Sequence, residues 1–447
     1  MQSMTKASRY ERGSKGAIRS WAFYDWANSV YSLVIATAVF PIYYGSVTST
    51  EEGNLVRFLG TDWENTVIYS YCLAASFVVV AILSPILSGI ADYSGAKKMF
   101  LQIFCYLGAA ACAGLFFFDG SNVDLALTLS IIASIGFWGS LVFYNAFLPE
   151  VAYLDQQDSA SALGFSLGYF GASLLLIFNL TMVLNPEWYG IADSGMASRI
   201  SFLMVGVWWV LFAQVTFRRL PKPENKRKIT KELLGNGFRA LREVWNELYE
   251  LPDLKRFLGA FFMLSVGVQT IIYLASLFGE KELHLDSGYL IGTIILIQIV
   301  GMGGAHLFSF LSRTFGNIRA MLLALVIWAL MCGAAFALQA DDPSVSYKFL
   351  GLGASVGLVL GGVQALARST YSKLLPTNTT KHASFFSFYD VTEKVAIILG
   401  TFLYGFVESI TGSMKISSLT LSIFFIAAIV ILWPLRARFS AYSLKEH

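Results

Sequence analysis

The sequence predicts an all-α integral membrane protein with twelve transmembrane helices in two pseudo-symmetric six-helix halves. Three observations carry this. Hydrophobic residues make up 56% of the 447-residue chain and charged residues only 14%, where a soluble protein carries about a quarter charged. Twelve apolar stretches recur along the chain, most of them near the roughly 20 residues a helix needs to cross a bilayer. A charged connection, residues 218–253, divides them six and six.

The stretches are residues 21–46, 66–91, 99–118, 122–148, 160–184, 198–217, 254–279, 287–312, 319–338, 347–372, 383–411 and 415–435. Basic residues test the count. They gather at the N-terminus (Lys6, Arg9, Arg12, Lys15, Arg19), at Lys97 and Lys98, along 218–256, at Arg313, Arg319, Lys373 and Lys381, and in the tail (Arg436, Arg438, Lys445). The alternate loops are acidic instead, as in Glu51, Glu52, Asp62, Glu64, Asp341 and Asp342. With an even number of spans, the positive-inside rule puts both termini in the cytoplasm. The basic N-terminus leads into a full-length span with no small-residue cleavage site, so it reads as a cytoplasmic anchor and not as a signal peptide. Cys72, Cys105, Cys112 and Cys332 fall in apolar stretches and read as packing residues.

The central connection begins "RRLPKPENKRK" and continues with Phe238, Leu241, Val244, Trp245 and Leu248 at helical spacing. This is an amphipathic helix on the inner membrane face, tethering the halves; a helix for a calmodulin-type partner is the other reading. The expected domains are 1–217, the 218–253 linker and 254–447.

The halves share features in the same order. "SGIADYSGAKKM" follows the second span and "SFLSRTFGNIRAM" the eighth, aligning Asp92 with Arg313, Gly95 with Gly316 and Lys98 with Arg319. The fourth span closes on "YNAFLPE" and the tenth on "YSKLLPT"; Asn28 and Gln269 hold comparable places in the first and seventh. Gly95 permits a sharp reversal, and basic residues after a helix C-terminus suit its partial negative charge. Asp92 either caps the next helix or binds a base across the halves, making Asp92, Gly95, Lys97, Lys98 and Arg313 a conformational latch. A plain charged hairpin is the alternative.

Twelve spans in two halves, with this loop after the second, resemble the major facilitator superfamily and its pattern Gly-x-Leu-Ala-Asp-Arg-x-Gly-Arg-Lys. Asp92, Gly95, Lys97 and Lys98 match; Ser88 replaces the first Gly, and Tyr93 replaces the Arg, which weakens the latch. The stretches "YDWANSVYSLVIATAVFPIYY", "GVQTIIYLASLFG" and "GGVQALARSTYSKLLP" resemble the autophagy-related vacuole-effluxer-like branch and its bacterial relatives. The resemblance covers nearly the whole chain. It implies the major facilitator fold, efflux or exchange of small solutes with amino acids the usual class, and a central cavity lined by the first, fourth, seventh and tenth spans.

Ionisable groups in a bilayer core cost several kcal/mol, so each is a functional candidate. Asp25, Asn28 and Ser32 share a helix face in the first span. Asp25 is a gating or coupling carboxylate, or else pairs with a base at the interface. Gln269, with Thr270, contacts substrate or joins helices. Arg368 seeks a carboxylate, either Asp25 or the substrate's own. Tyr144 and Asn145 close the fourth span and complete the substrate-binding candidates. In the eleventh span Lys394 pairs with Asp390 one turn back, while Glu393 points elsewhere and needs its own partner. Asp25, Glu393, Asp390 and Lys394 are the proton-coupling candidates. His306, read as the one histidine inside a span, follows a glycine-rich packing stretch.

These features favour a secondary active or facilitative transporter working by alternating access. A non-transporting receptor or a lipid flippase on the same fold is the alternative. No P-loop points to ATP drive. No clustered His, Asp or Glu set points to an enzyme, a metal or a cofactor. The expected partners are a small-molecule substrate, protons or another coupling ion, and the lipid bilayer. Nucleic acid is not expected, and the expected form is a monomer in the cell (inner) membrane.

Overall fold

In lipid a backbone can satisfy its N–H and C=O groups only within a helix or a closed barrel, and these apolar runs take the helix. The computed structural model describes residues 11–49, 53–221 and 233–437. Lys6, Arg9, Glu51, Glu52, Arg438, Lys445, most of the "RRLPKPENKRK" segment, and the side chains of Phe238 and Leu241 lie outside the described residues.

Among the described residues, twelve helices are long and apolar enough to span a membrane: Lys15–Thr48, Asn65–Ser94, Lys97–Phe117, Val123–Val151, Leu154–Leu184, Ser194–Phe217, Pro252–Lys281, Gly288–Phe315, Asn317–Ala337, Val345–Leu374, His382–Thr411 and Met414–Leu432. Many of their exposed side chains are large and apolar, among them Ile42, Leu330, Phe402 and Val430. That is the pattern of an outer surface solvated by lipid.

The first span holds a feature that hydropathy does not show. Lys15–Val30 and Val39–Thr48 are α-helical, but Tyr31–Ala38 between them is π-helical. Pro41 follows closely; it lacks an N–H, and its ring presses on the carbonyl four residues earlier. The wider turn ahead of it relieves that contact. Thr37 reinforces the turn by donating its hydroxyl to the Ser32 carbonyl at 2.7 Å.

The chain folds as two units. The first comprises Met1–Leu241 with Asn378–Phe386, and the second Arg242–Thr377 with Ser387–His447. In the first unit the first span packs on the fifth, where a Cβ on Gly168 would stand 3.2 Å from the Asp25 carbonyl. The sixth span packs on the third, where Gly206 faces the Ala109 carbonyl. Ser76 and Ser134 join the second and fourth spans at 2.7 Å. In the second unit Gly304, Gly357 and Gly361 bring the eighth and tenth spans into backbone contact. This accounts for the glycine-rich stretches as close packing. Trp328 stacks on Phe425 between the ninth and twelfth spans, with centroids 5.4 Å apart. All four cysteines are buried and free.

The loop after the first span forms a hairpin, β1 (Leu55–Phe58) paired antiparallel with β2 (Thr61–Glu64). Leu59 and Gly60 at its tip have φ of 49° and 82°, as a two-residue turn of the twisted kind requires. The Leu59 N–H donates to Asp124 at 2.9 Å, which pins the turn to the start of the fourth span. In the loop before the tenth span, Lys348 and Ser344 hold Asp342 below the usual carboxylate range.

The linker helix runs Leu233–Glu250. Val244 and Leu248 are buried, while Trp245 and Tyr249 are 52% and 62% exposed. Trp245 lies 6.0 Å from Phe388, and Lys255 sits over the Tyr249 ring. One helical turn separates Val244 from Leu248, so the two lie on one face of the helix.

Candidate functional site

In the first unit Asp25 and Tyr144 meet. Asp25 is 5% exposed, although it lies in an otherwise apolar span. The Tyr144 hydroxyl donates to its carboxylate at 2.8 Å. Tyr144 is itself held by two contacts: its ring stacks on Trp21 at 4.6 Å, and its carbonyl accepts from the Trp21 indole at 2.9 Å. A rigid aromatic frame thus presents a donor to a buried charge. Asn28, one turn from Asp25, is also buried. Its oxygen faces the Ser29 hydroxyl at 3.5 Å, while its amide nitrogen meets no acceptor among the described residues. Asn145 lies half-buried at the end of the same helix as Tyr144.

The latch residues of the first unit form a second cluster. Gly95 ends the second span with φ +70°, and its counterpart Gly316 has φ +90°, so both reversals use backbone conformations that favour glycine. The Asp92 carboxylate accepts from the backbone N–H groups of Ala383 and Ser384, at 3.1 and 2.7 Å, and from the Ser384 hydroxyl at 2.8 Å. Asp92 therefore caps the start of the eleventh helix, where a negative charge meets unpaired donors and the positive end of the helix dipole. Lys97 pairs with Glu150, and His382 lies 3.4 Å from the same carboxylate. Lys98 reaches the Leu220 carbonyl at 3.5 Å. Glu150 and His382 carried no signal in the sequence, because their partners are distant in the chain. His382 is the first residue of the eleventh helix, so His306 is not the one histidine in a span. His306 itself is exposed, as is Arg313, which donates to the Ser309 carbonyl of its own helix.

In the second unit the eleventh span carries Asp390, Glu393 and Lys394. Lys394 is fully buried; its ammonium lies 2.9 Å from Asp390 and 3.2 Å from Glu393. Glu393 does not turn away from Lys394 as helical spacing alone implied, because its flexible side chain brings one oxygen back to the ammonium. Its other oxygen accepts from Gln269 of the seventh span at 2.6 Å. Thr270 is spent on its own helix, donating to the Val266 carbonyl. Arg368 of the tenth span is buried, close enough to Tyr389 for its charge to act on that phenol.

The comparisons with known proteins agree with this architecture. The family model described as "Vacuole effluxer Atg22 like" matches residues 13–157 and 150–441. The chain is 33% identical over 417 residues to the MFS-type transporter YxiO of Bacillus subtilis (strain 168), covering 92% of this chain and 93% of that protein. It is 26% identical over 404 residues to autophagy-related protein 22 of Saccharomyces cerevisiae (strain ATCC 204508 / S288c), covering 80% of this chain and 75% of the relative. Among solved structures, the proton:xylose symporter XylE aligns with a TM-score of 0.67 at 14% identity over 94% of this chain and 95% of that one. A bacterial homologue of the iron transporter ferroportin aligns at 0.64 and 13% over 95% and 98%. At such identities the structures speak for the fold alone, and that fold is the major facilitator fold. With its family match running nearly end to end, the chain belongs to the vacuole effluxer Atg22-like family of major facilitator transporters.

Proposed function

We propose that this protein moves a small solute across the cell membrane by alternating access, as a secondary active or facilitative transporter, with amino acids as the solute class. One observation carries the reading. In each unit a carboxylate inside a span, buried at Asp25 and half-buried at Glu393, is hydrogen-bonded from a neighbouring span, Asp25 by Tyr144 and Glu393 by Gln269. Carboxylates at such positions cost several kcal/mol in a structure that only has to span. Inverted or repeated helical halves with polar groups at depth are the apparatus of secondary transport.

The chemistry of the candidates suits a zwitterion. Asp25 and Asn28 supply acceptors for an ammonium group, and Arg368 supplies the planar fork that a carboxylate binds. Gln269, Tyr144 and Asn145 add neutral donors and acceptors. The Asp92 cap, with Gly95, Lys97, Lys98 and Arg313 about the two reversal loops, acts as a latch that biases conformation. Both termini and the 218–253 connection lie on the cytoplasmic side, following the basic loops. The protein works as a monomer and performs no covalent chemistry.

Flux assays test this reading. Purified protein in liposomes is expected to exchange labelled amino acids across the membrane, and the transported one to raise its unfolding temperature in detergent by mass action. Thermal stabilisation without flux would assign the chain to a receptor. Movement of labelled lipid without solute would make it a flippase.

A further inference from the structure

We propose that Asp390 binds the coupling proton of this transporter on its Oδ2 atom. The proposal deepens the transport reading and rests on it for the word coupling; the proton site itself stands on the geometry of the eleventh span.

Asp390, Glu393 and Lys394 occupy one turn of that helix, and two carboxylates share one fully buried ammonium. Of their four oxygens, three have donors. Lys394 serves Asp390 Oδ1 at 2.9 Å and Glu393 Oε2 at 3.2 Å, and Gln269 serves Glu393 Oε1 at 2.6 Å. The fourth, Asp390 Oδ2, is buried and meets no donor among the described residues. Asp390 is only 5% exposed. The turn therefore lacks one positive charge and one donor, at the same atom. A proton on Oδ2 removes the surplus charge, and a neutral hydroxyl short of an acceptor costs far less than a buried charge short of a donor.

The alternatives fit less well. Glu393 already has a donor on each oxygen, Gln269 on Oε1 and Lys394 on Oε2, so neither stands open as Asp390 Oδ2 does. A metal ion takes several oxygen ligands, and no three His, Cys, Asp or Glu side chains converge among the described residues. Among the described residues Lys394 is the one cation ion-paired with Asp390. The tenth span presents Arg368 and Tyr371 to Tyr389, and the seventh presents the neutral Gln269 to Glu393 and Phe261 to Tyr389.

The arrangement gives the proton a consequence. With Asp390 neutral, Lys394 has Glu393 as its one anionic partner on this turn. When Asp390 releases the proton, both carboxylates compete for Lys394. The Gln269–Glu393 bond between the seventh and eleventh spans then depends on how the ammonium divides.

Difference infrared spectroscopy of the full chain in lipid tests this. Raising the pH is expected to remove a protonated-carboxyl band in the wild-type protein and in Glu393→Gln, and the band is expected to be missing in Asp390→Asn. A band that survives in Asp390→Asn, or is absent from wild type, overturns the proposal. Should Asp390→Asn fail to fold, wild-type protein is treated with dicyclohexylcarbodiimide. A protonated carboxyl adds its O–H across the reagent's C=N bond and rearranges to a stable acylurea with no atom lost. Peptide mapping is expected to find the adduct on Asp390, in decreasing yield as pH rises; an adduct on Glu393 alone, or none, overturns it. Flux of labelled amino acids is measured on the same vesicles. Flux without the band removes the proton site and leaves transport standing, whereas the band without flux does the reverse.

Discussion

The Tyr144 hydroxyl and the Asp25 carboxylate are joined at 2.8 Å across two spans. The bond gives a buried charge a donor that lipid cannot provide. Tyr144→Phe keeps the ring stacked on Trp21 and removes only the donor, so it is expected to destabilise the protein by about 1–3 kcal/mol. The check is the midpoint of thermal or denaturant unfolding in detergent. Asp25→Asn retains an acceptor for Tyr144 and is expected to fold normally while losing transport. Loss of folding in Asp25→Asn with normal folding in Tyr144→Phe would contradict the pairing.

Asp92 holds three donors at the start of the eleventh helix. Asp92→Ala is expected to cost about 1 kcal/mol, the usual worth of a helix cap, and to slow turnover with solute affinity retained. Asp92→Asn keeps an acceptor oxygen and is expected to preserve most of the stability while still slowing turnover. Affinity by thermal shift and rate by liposome flux separate the two effects.

Lys394 is fully buried between the two carboxylates of its helical turn. Replacing it with Met leaves a carboxylate unpaired, a loss of about 3–5 kcal/mol. Glu393→Gln in the same chain is expected to restore much of this, because with Asp390 neutral the orphaned charge is that of Glu393. Equal or better rescue by Asp390→Asn would reverse the assignment. Unfolding midpoints of the two double variants decide it.

A Cβ at Gly357 would stand 2.6 Å from the Ile297 carbonyl. Gly357→Ala therefore forces the eighth and tenth spans apart, at an expected cost of about 1–3 kcal/mol. Gly351, on the same helix, has nothing within 4 Å of its would-be Cβ. Gly351→Ala is expected to be neutral or slightly stabilising through helix propensity. Yields and melting of the two variants in parallel measure the difference.

The orientation is tested by single cysteines in a background lacking the four native ones. Asn246→Cys and Ala340→Cys both stand at exposed positions. An impermeant maleimide added to whole cells is expected to label Ala340→Cys and to reach Asn246→Cys only after the cells are opened. Equal labelling of both from outside would refute the cytoplasmic placement of the linker helix.

The sequence by itself determined the twelve helices, because a backbone in lipid has to bond within its own segment, and a run of apolar residues therefore dictates both the element and its length. It also marked Asp25, Gln269, Arg368 and the charges of the eleventh span, because any polar group inside such a run stands out. The loop glycines were legible for a local reason as well: reversals at Gly95 and Gly316 demand positive φ. Only the tertiary structure decided which groups those side chains meet. Tyr144 lies 119 residues from Asp25, Gln269 lies 124 from Glu393, and Ala383 lies 291 from Asp92. No periodicity links positions so far apart, which is why Glu150 and His382 went unmarked and why the donors of Asp92 turned out to be backbone amides of the eleventh helix. The π-helical turn at Tyr31–Ala38 belongs to both levels: Pro41 supplies the cause locally, but a hydrophobic pattern reads the same whether the turn is wide or narrow, and only the folded backbone distinguishes them.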